Sequence, residues 1–359
     1  MPKPLPQAIL KPNSIKKEDA AITKGILLGD NVVWNPATLP NGHVVLIGAS
    51  GSGKTQTLKA IAHELPQVFP QVKIVIIDFH GDLELPGEVC YPLDMESPHG
   101  INPLVVDLDT KGGGPNLQAI AVAAIFKKAL VLGANQEGLV ISILNSCYGM
   151  KGIVQDDFNT WTLEPPTFAD VRKEIEARVE DGCKESVKLQ LKLAATFQYG
   201  IFDKLQPSLD HAIIRFDLSA LGKVPGLSAI AAEALTKQLM DSHRILGEMS
   251  DKTPRSFVFI DEAKEVKNSR SIKIILGDGR KYGLCAVLAS QRDAEISDEA
   301  IANSSTKIVL AIDQTEVKRV SRRFRFAENI VAGLQPLEAL VRMGTEGQKC
   351  KIKPYYERV

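Results

Sequence analysis

Residues 48–55 read Gly48-Ala49-Ser50-Gly51-Ser52-Gly53-Lys54-Thr55 and match the pattern G-x-x-x-x-G-K-[ST] at every fixed position. An apolar run at residues 43–47 comes directly before them, and a stretch with apolar residues at helical spacing comes directly after them. In this setting the backbone N–H groups of the loop and the helix N-terminus converge on phosphate oxygens. A Gly/Ser hairpin turn, the alternative interpretation, needs neither the Lys-Thr pair nor the flanking strand and helix. The stretch, called the phosphate loop below, therefore predicts nucleotide binding in an α/β fold.

The phosphate loop predicts a role for individual residues. Lys54 is expected to reach the β- and γ-phosphates of ATP, and the Thr55 hydroxyl is expected to bind Mg²⁺. The predicted nucleotide-binding residues are those of the loop and the next residue of the helix: Gly48, Ala49, Ser50, Gly51, Ser52, Gly53, Lys54, Thr55 and Gln56.

An apolar strand at residues 257–260 ends in two adjacent carboxylates, Asp261 and Glu262. A Mg²⁺ site beside a water-activating base needs this arrangement at the carboxyl edge of a parallel sheet. We therefore predict that Asp261 binds Mg²⁺ and that Glu262 orients or deprotonates the attacking water. The alternative, a strand that ends in a solvated acidic turn, is much weaker beside a phosphate loop. The acidic pair thus favours hydrolysis over nucleotide binding alone.

The rest of the chain alternates strands and helices around one helical interruption. Two short strands are expected around residues 29–31, and further buried strands are predicted at 72–77, 212–218, 257–260, 284–289, 307–312 and 339–343. Helices are predicted near 117–132, 136–148, 167–181 and 186–199. We predict an α/β fold with a mainly parallel sheet, a helical insertion and a short N-terminal β element. The expected division is an N-terminal arm with the β element (1–40), a first part of the core (41–97), the insertion (98–210) and a second part of the core (211–359).

Composition and charge limit the class of protein. Of 359 residues, 44% are hydrophobic and 24% are charged, which excludes a disordered chain. Lys plus Arg (43) equals Asp plus Glu (43), so any contact with nucleic acid must come from a local patch. The five cysteines form no CxxC pair and leave one unpaired, which favours a reduced, cytoplasmic setting. We expect neither a signal peptide nor a membrane span.

Two polar motifs lie on either side of the strand at 284–289. Gly279-Arg280-Lys281-Tyr282-Gly283 precedes the strand, and Ser290-Gln291-Arg292-Asp293 follows it. A glutamine just past a buried strand can contact a γ-phosphate, and capping of the strand is an equally good interpretation.

Seven motifs, in chain order, resemble those of the HerA/FtsK superfamily of ring-forming DNA translocases, especially its HerA-like and conjugative-ATPase branch: GASGSGKT, VIIDFHGD, INPL, IIRFDLSAL, FVFIDEA, GRKYG and LASQ. The resemblance covers roughly residues 25–350. It implies a RecA-like P-loop NTPase fold, in which the strand after the acidic pair lies next to the phosphate-loop strand, and assembly into a homo-hexamer around DNA. It also implies that Gln291 senses the γ-phosphate and that Arg280 is an arginine finger for a neighbour's nucleotide. The alternative for Arg280 is a structural role, in which it pairs with an acid such as Asp278 or Glu262 of its own subunit.

One departure from the family concerns the N-terminus. HerA proteins usually carry an N-terminal β-barrel that helps to dock partners, and roughly 40 residues before the phosphate loop are too few for one. A partner nuclease would then dock by another route, or the barrel would be a separate polypeptide.

A basic cluster lies near the end of the chain. Its members are Lys318, Arg319, Arg322, Arg323 and Arg325, and their spacing predicts that they share one side of a helix. Contact with DNA phosphates, a solvated face and a subunit interface are all open interpretations. A DNA channel could equally use the loop at 111–116 or the segment at 265–270. The histidines (43, 63, 80, 99, 211 and 243) show no metal-ligand spacing and are interpreted as packing or surface residues.

The main hypothesis is a cytoplasmic, ATP- and Mg²⁺-dependent DNA translocase or helicase. It would work as a homo-hexamer on double-stranded DNA of any sequence, with a nuclease or other effector partner, in DNA processing or anti-phage defence. The alternative is the ATPase motor of a secretion, conjugation or DNA-packaging system. A third hypothesis, a nucleotide-gated scaffold with negligible turnover, is opposed by the acidic pair.

Overall fold

The computed structural model describes residues 24–359 of the chain. Most of the expected N-terminal arm therefore lies outside the described residues. The short N-terminal β element is confirmed as an antiparallel pair, β1 (Ile26–Gly29) and β2 (Val32–Trp34).

A nine-stranded sheet forms the centre of the fold. Its strands are β3 (Val44–Ile47), β4 (Lys73–Asp78), β5 (Val89–Pro92), β6 (Ile213–Asp217), β7 (Ser256–Ile260), β8 (Leu284–Ser290), β9 (Thr306–Val309), β10 (Glu338–Met343) and β11 (Glu346–Lys351). They lie in the order β11-β10-β9-β3-β8-β7-β4-β6-β5. The seven strands from β9 to β5 pair in parallel, and β10 and β11 pair antiparallel. The mainly parallel sheet is thus confirmed.

The strand order places β8 between β3 and β7. Ile47 at the end of β3 lies opposite Ser290 at the end of β8, and Ile260 at the end of β7 lies opposite Leu288. The strand after the acidic pair therefore neighbours the phosphate-loop strand, as the resemblance implied. Because parallel strands end at the same edge, the segments that follow β3, β7 and β8 meet there.

Twelve α-helices connect the strands within residues 24–359. They are α1 (Lys54–Val68), α2 (Pro115–Ala129), α3 (Ala134–Met150), α4 (Phe168–Glu180), α5 (Lys184–Tyr199), α6 (Leu227–Ile245), α7 (Ala263–Val266), α8 (Arg270–Ile274), α9 (Arg280–Tyr282), α10 (Asp298–Asn303), α11 (Val317–Phe324) and α12 (Glu328–Ala332). The four predicted helices of the insertion are present as α2 to α5. None of the helices in the described part is long and apolar enough to cross a membrane.

Alternate residues of β3 enter two apolar cores on opposite faces of the sheet. Val45 and Ile47 pack with α6 and the insertion helices, whereas Val44 and Leu46 pack with α1 and the N-terminal β element. A strand buried on both faces reads as a continuous apolar run, which is why the sequence revealed it.

One strand prediction needs correction, and two strands were missed. β9 ends at Val309, three residues earlier than predicted, and β5 and β11 were not predicted at all. β5 is a short edge strand that ends in Pro92, and β11 (EGQKCK) is mostly exposed, so neither carries the apolar pattern of a buried strand.

Candidate active site

The phosphate loop is held between two strand ends by backbone hydrogen bonds. The Gly48 N–H donates to the Ser290 carbonyl (3.2 Å), and the Ala49 N–H donates to the Ala311 carbonyl (2.8 Å). Gly53 has a φ of 102°, and a Cβ there would lie 2.5 Å from the side chain of Leu337. Only glycine therefore fits at the turn into α1.

A cleft of about 360 Å³ opens above this loop at the carboxyl edge of the sheet. It brings together residues that are far apart in the chain: Ala49, Ser50, Gly51, Gly53, Lys54, Thr55, Gln56, Leu58, His80, Asp82, Asp261, Glu262 and Gln291. Among the predicted nucleotide-binding residues, Gly48 and Ser52 are buried beneath the cleft and do not line it. Asp261, Glu262 and Gln291 face the same space as the phosphate loop, as their predicted roles require.

Oxygen atoms suited to a divalent cation converge at one side of the cleft. Carboxylate oxygens of Asp78, Asp82 and Asp261 lie within 4.8 Å of one another, and the Thr55 hydroxyl donates to Asp82 (3.5 Å). Burial, and then the charge of Asp78, raise the pKa of Asp261 to about 7. A bound cation would offset this repulsion and keep Asp261 ionised. The residues present therefore fit Mg²⁺, which prefers oxygen ligands.

Asp78 has a different role from the other two acids. Its carboxylate accepts hydrogen bonds from the backbone N–H groups of Gly81 (2.7 Å) and Leu83 (3.0 Å) and pairs with Arg215 (3.3 Å). It thus shapes the loop after β4 and leaves Asp82 and Asp261 free to face the cleft. Asp82 was missed as a candidate metal ligand. Its signal was present in the motif VIIDFHGD, but only the pairing of β4 with β7 brings it to Asp261.

Glu262 is almost fully buried, with 3% of its side chain exposed, and its two oxygens have different surroundings. Oε1 accepts hydrogen bonds from His80 Nε2 (2.9 Å) and Gln291 Nε2 (3.3 Å). Oε2 has no hydrogen-bond partner and lies 3.5 Å from the ammonium of Lys264. Burial acts to raise the pKa of Glu262, but the His80 hydrogen bond and Lys264 hold it below its ordinary value. The carboxylate is therefore held in its ionised form, the form in which it can act as a general base.

His80 corrects the interpretation of the histidines as packing or surface residues. Its side chain is half exposed, yet its ring binds the predicted base directly. Burial acts to lower the pKa of His80, and the hydrogen bond with Glu262 and the nearby acids raise it overall. In the sequence His80 lies two residues after a buried strand. This position predicts a contact with Glu262 only if β4 is known to neighbour β7.

The first testable prediction concerns His80. Its replacement by alanine is expected to lower kcat about 10- to 100-fold, as the loss of other orienting partners does, with little change in KM for ATP. His80→Gln retains a donor and should recover much of the rate. Steady-state ATP hydrolysis with matched melting temperatures measures both effects, and wild-type kcat in His80→Ala would contradict the role.

Arg280 lies at the opposite edge of the sheet from the cleft. It precedes β8 and Gln291 follows it, so the seven residues of β8 separate them by about 20 Å at 3.3 Å per residue. Within residues 24–359, the exposed Arg280 side chain pairs with neither Asp278 nor Glu262, and Asp278 instead pairs with Arg244 (3.9 Å). Arg280 therefore does not reach the phosphate loop of its own chain.

The predicted basic cluster divides into two groups. Arg319 and Arg323 bind the buried carboxylate of Asp293, whereas Lys318, Arg322 and Arg325 have no carboxylate partner within residues 24–359. None of the five is among the buried residues of the helix, so they share its solvent side as predicted. Asp293 pairs with two of the five cations on that side.

Together, the parallel sheet and the cleft at its carboxyl edge define a P-loop NTPase of the RecA-like class. The helicase HerA central domain family matches residues 34–181. The chain is 22% identical over 339 residues to the DNA double-strand break repair helicase HerA of Sulfurisphaera tokodaii, which covers 89% of this chain and 66% of that protein. It thus spans just under two thirds of the length of this curated relative.

Solved structures share the fold. VirB4 of Thermoanaerobacter pseudethanolicus superimposes with a TM-score of 0.76 at 18% identity, over 94% of this chain and 98% of that one. The plasmid coupling protein TrwB, in complex with a non-hydrolysable ATP analogue, gives a TM-score of 0.64 at 16% identity, over 94% and 90%. The chain is therefore a P-loop ATPase whose sequence resembles HerA and whose fold resembles VirB4 and TrwB.

Proposed function

We propose that this protein hydrolyses ATP to move along or unwind double-stranded DNA, as a homo-hexameric ring. The observation that carries the proposal is the buried, ionised carboxylate of Glu262, which lines the same cleft as the phosphate loop. A nucleotide-gated scaffold needs no such group. Lys54 would bind the β- and γ-phosphates, Glu262 would hold the attacking water, and Gln291 would contact the γ-phosphate.

Thr55 and Asp261 would hold Mg²⁺, with Asp82 beside them. The ion would neutralise charge on the phosphate oxygens as the terminal bond breaks. Because Gln291 already donates to Glu262, contact of its amide with a γ-phosphate would change the hydrogen bonding of the base. Gln291 would thus link the presence of a γ-phosphate to the hydrogen bonding of Glu262.

A ring is supported by the position of Arg280. An arginine at the amino edge of the sheet, far from its own phosphate loop and without an ion pair among the described residues, is available to a neighbouring subunit. Six subunits follow from the resemblance to ring-forming translocases. The division of the chain at residues 40, 97 and 210 is part of the same proposal.

DNA as the substrate is supported by the HerA relative, which is a DNA double-strand break repair helicase. We extend the proposal to a nuclease or other effector partner, a role in DNA processing or anti-phage defence, and a cytoplasmic location. A second candidate is the motor of a secretion, conjugation or DNA-packaging system, which the fold shared with a plasmid coupling protein favours.

The second prediction separates a motor that acts on DNA from a secretion motor that acts on protein. Double-stranded DNA of unrelated sequences should raise the steady-state ATPase rate several-fold and to the same extent. Binding should weaken steeply with salt, because counterion release from the phosphates dominates sequence-independent affinity. Fluorescence anisotropy at several salt concentrations provides the measurement. Tight, salt-insensitive binding to one short sequence would contradict a translocase, and ATP turnover indifferent to DNA would favour the motor of a secretion system that moves protein.

A further inference from the structure

Helix α11 presents two different faces. Val317, Val320 and Phe324 are buried in the core on one side of the sheet. The other side carries the basic cluster, which extends to Arg325 at the C-cap; Arg319 and Arg323 pair with Asp293, and Lys318, Arg322 and Arg325 do not. The two cations that pair with Asp293 are called the inward cations below, and Lys318, Arg322 and Arg325 are called the outward cations.

The inward cations hold the segment that follows Gln291. Asp293 is fully buried, and its carboxylate accepts hydrogen bonds from Arg319 Nε (2.6 Å) and Arg323 Nη1 (2.8 Å). Arg323 also donates to the Ile296 carbonyl (3.2 Å) and the Asp298 carboxylate (2.5 Å). These contacts, called the Asp293 clamp below, fix residues 293–298 to α11.

A second connection joins the same two elements. Glu316, at the start of α11, lies 3.4 Å from the guanidinium of Arg292 and 3.3 Å from that of Arg319. Gln291 is the residue before Arg292, and its amide donates to Glu262. The sensor position is thus one residue from a charge network that ends on α11, and a shift of the helix would be transmitted to it.

The outward cations have no acidic partner in the described part of the chain. Lys318, Arg322 and Arg325 are exposed, and within residues 24–359 none of them lies within salt-bridge distance of a carboxylate. Two more cations flank them, and neither has a carboxylate partner among the residues that the structure describes. Arg342 donates to the carbonyls of Phe324 (3.1 Å) and Thr345 (2.8 Å), and Lys307 donates to the Ser304 carbonyl (2.7 Å). Burial and the charges of Arg342 and Arg325 lower the pKa of Lys307. Positive charge is thus concentrated here.

A larger cleft elsewhere has no such excess of positive charge. It has a volume of about 660 Å³, lies between α2, α6 and α8, and includes parts of the 111–116 and 265–270 segments that the sequence offered as channel elements. Its charged residues are balanced: Lys128, Lys237, Arg244 and Arg270 against Asp107, Glu233, Asp241 and Glu265. A phosphate backbone gains less from a balanced surface than from one with uncompensated cations.

We infer that Lys318, Arg322 and Arg325 form a contact surface for a nucleic-acid phosphate backbone. When nucleic acid binds this surface, the Asp293 clamp transmits the change to Gln291. The inference rests on the proposed function and adds to it where the DNA is contacted and how that contact regulates hydrolysis. Asp293, Arg319 and Arg323 are positioning residues, since they act on the cleft through Gln291.

The contact surface is tested by removing its charge. The triple variant Lys318→Gln, Arg322→Gln and Arg325→Gln should lower the slope of log affinity against log salt by about 2 to 3, since each phosphate contact contributes about 0.9. The matched control replaces three exposed lysines of α5 with glutamine: Lys184, Lys188 and Lys192. The control should keep the wild-type slope. A wild-type slope in the α11 variant would overturn the inference.

The transmission is tested at Arg319, which is half exposed and so tolerates replacement better than buried Asp293. Arg319→Ala should retain the DNA affinity and salt slope of the wild type but lose most of the stimulation of kcat by DNA. Arg319→Lys, which retains the charge, should recover part of it. A merely structural role would lower the melting temperature while leaving the ratio of stimulated to basal kcat unchanged, and that result would overturn the coupling.

The remaining outcomes separate this inference from the proposed function. If the wild type binds no DNA, the proposed function fails and the inference fails with it. If the wild type binds DNA and the triple variant binds it equally well, only the inference fails. A change in the mass of the assembly without DNA, together with an unchanged salt slope, would assign the surface to a subunit contact and overturn the inference.

Discussion

Glu262→Gln is expected to leave ATP binding intact and to lower kcat by about 10²- to 10⁴-fold, the usual contribution of a general base. Glutamine keeps the shape of the side chain and an oxygen that accepts from His80, so the fold of the cleft is retained. It removes the charge that holds the attacking water. Equilibrium binding of a fluorescent ATP analogue and steady-state phosphate release measure the two effects separately.

Two further variants serve as comparisons for Glu262→Gln. Lys54→Ala should lose nucleotide binding or turnover, because Lys54 supplies positive charge to the β- and γ-phosphates. Glu265→Gln removes an exposed carboxylate three residues from Glu262 and serves as the matched control, with wild-type kcat expected. Turnover at the wild-type rate in Glu262→Gln would show that another group activates the water.

Arg280→Ala is expected to spare ATP binding and assembly but to lower kcat by about 10³- to 10⁵-fold, as loss of an arginine finger does in other NTPases. The physical reason is the position of Arg280 relative to the phosphate loop. Arg280 lies at the edge of the sheet opposite its own phosphate loop, so it can stabilise a transferring phosphoryl group only in a neighbour's site. Lys281→Ala, which removes the adjacent exposed cation paired with Glu248, is the matched control.

Mixing inactive subunits tests whether Arg280 acts across the interface. Arg280→Ala and Lys54→Ala subunits are each expected to be inactive alone. In a mixed ring, some sites combine Lys54 of one subunit with Arg280 of the other, and these should hydrolyse ATP. The mass of the ring and exchange of labelled subunits provide the controls. A mixture as inactive as its components, with exchange confirmed, would return Arg280 to a structural role.

The predictions that succeeded rest on contiguous residues. The phosphate loop and its flanking strand and helix lie within one short stretch, so their geometry is local and their pattern predicted them. The acidic pair follows directly from the apolar strand β7. The mainly parallel sheet was predictable because buried parallel strands are apolar on both faces. The exposed edge strands β5 and β11 lack that pattern and were missed.

The contacts that the sequence did not predict join residues of different elements. His80 and Asp82 follow β4, and only the pairing of β4 with β7 brings them to Glu262 and Asp261. The sequence also did not show that Arg319 and Arg323 pair with Asp293, because Asp293 belongs to a different element.

The sequence by itself thus determined the class of fold, the phosphate loop and the acidic pair, because short-range backbone geometry and burial specify them. Only the tertiary structure decided which side chains surround Glu262, on which edge of the sheet Arg280 lies and which cations face outward. Those relations depend on the packing of segments up to about 180 residues apart, such as His80 and Glu262, and no local pattern encodes them.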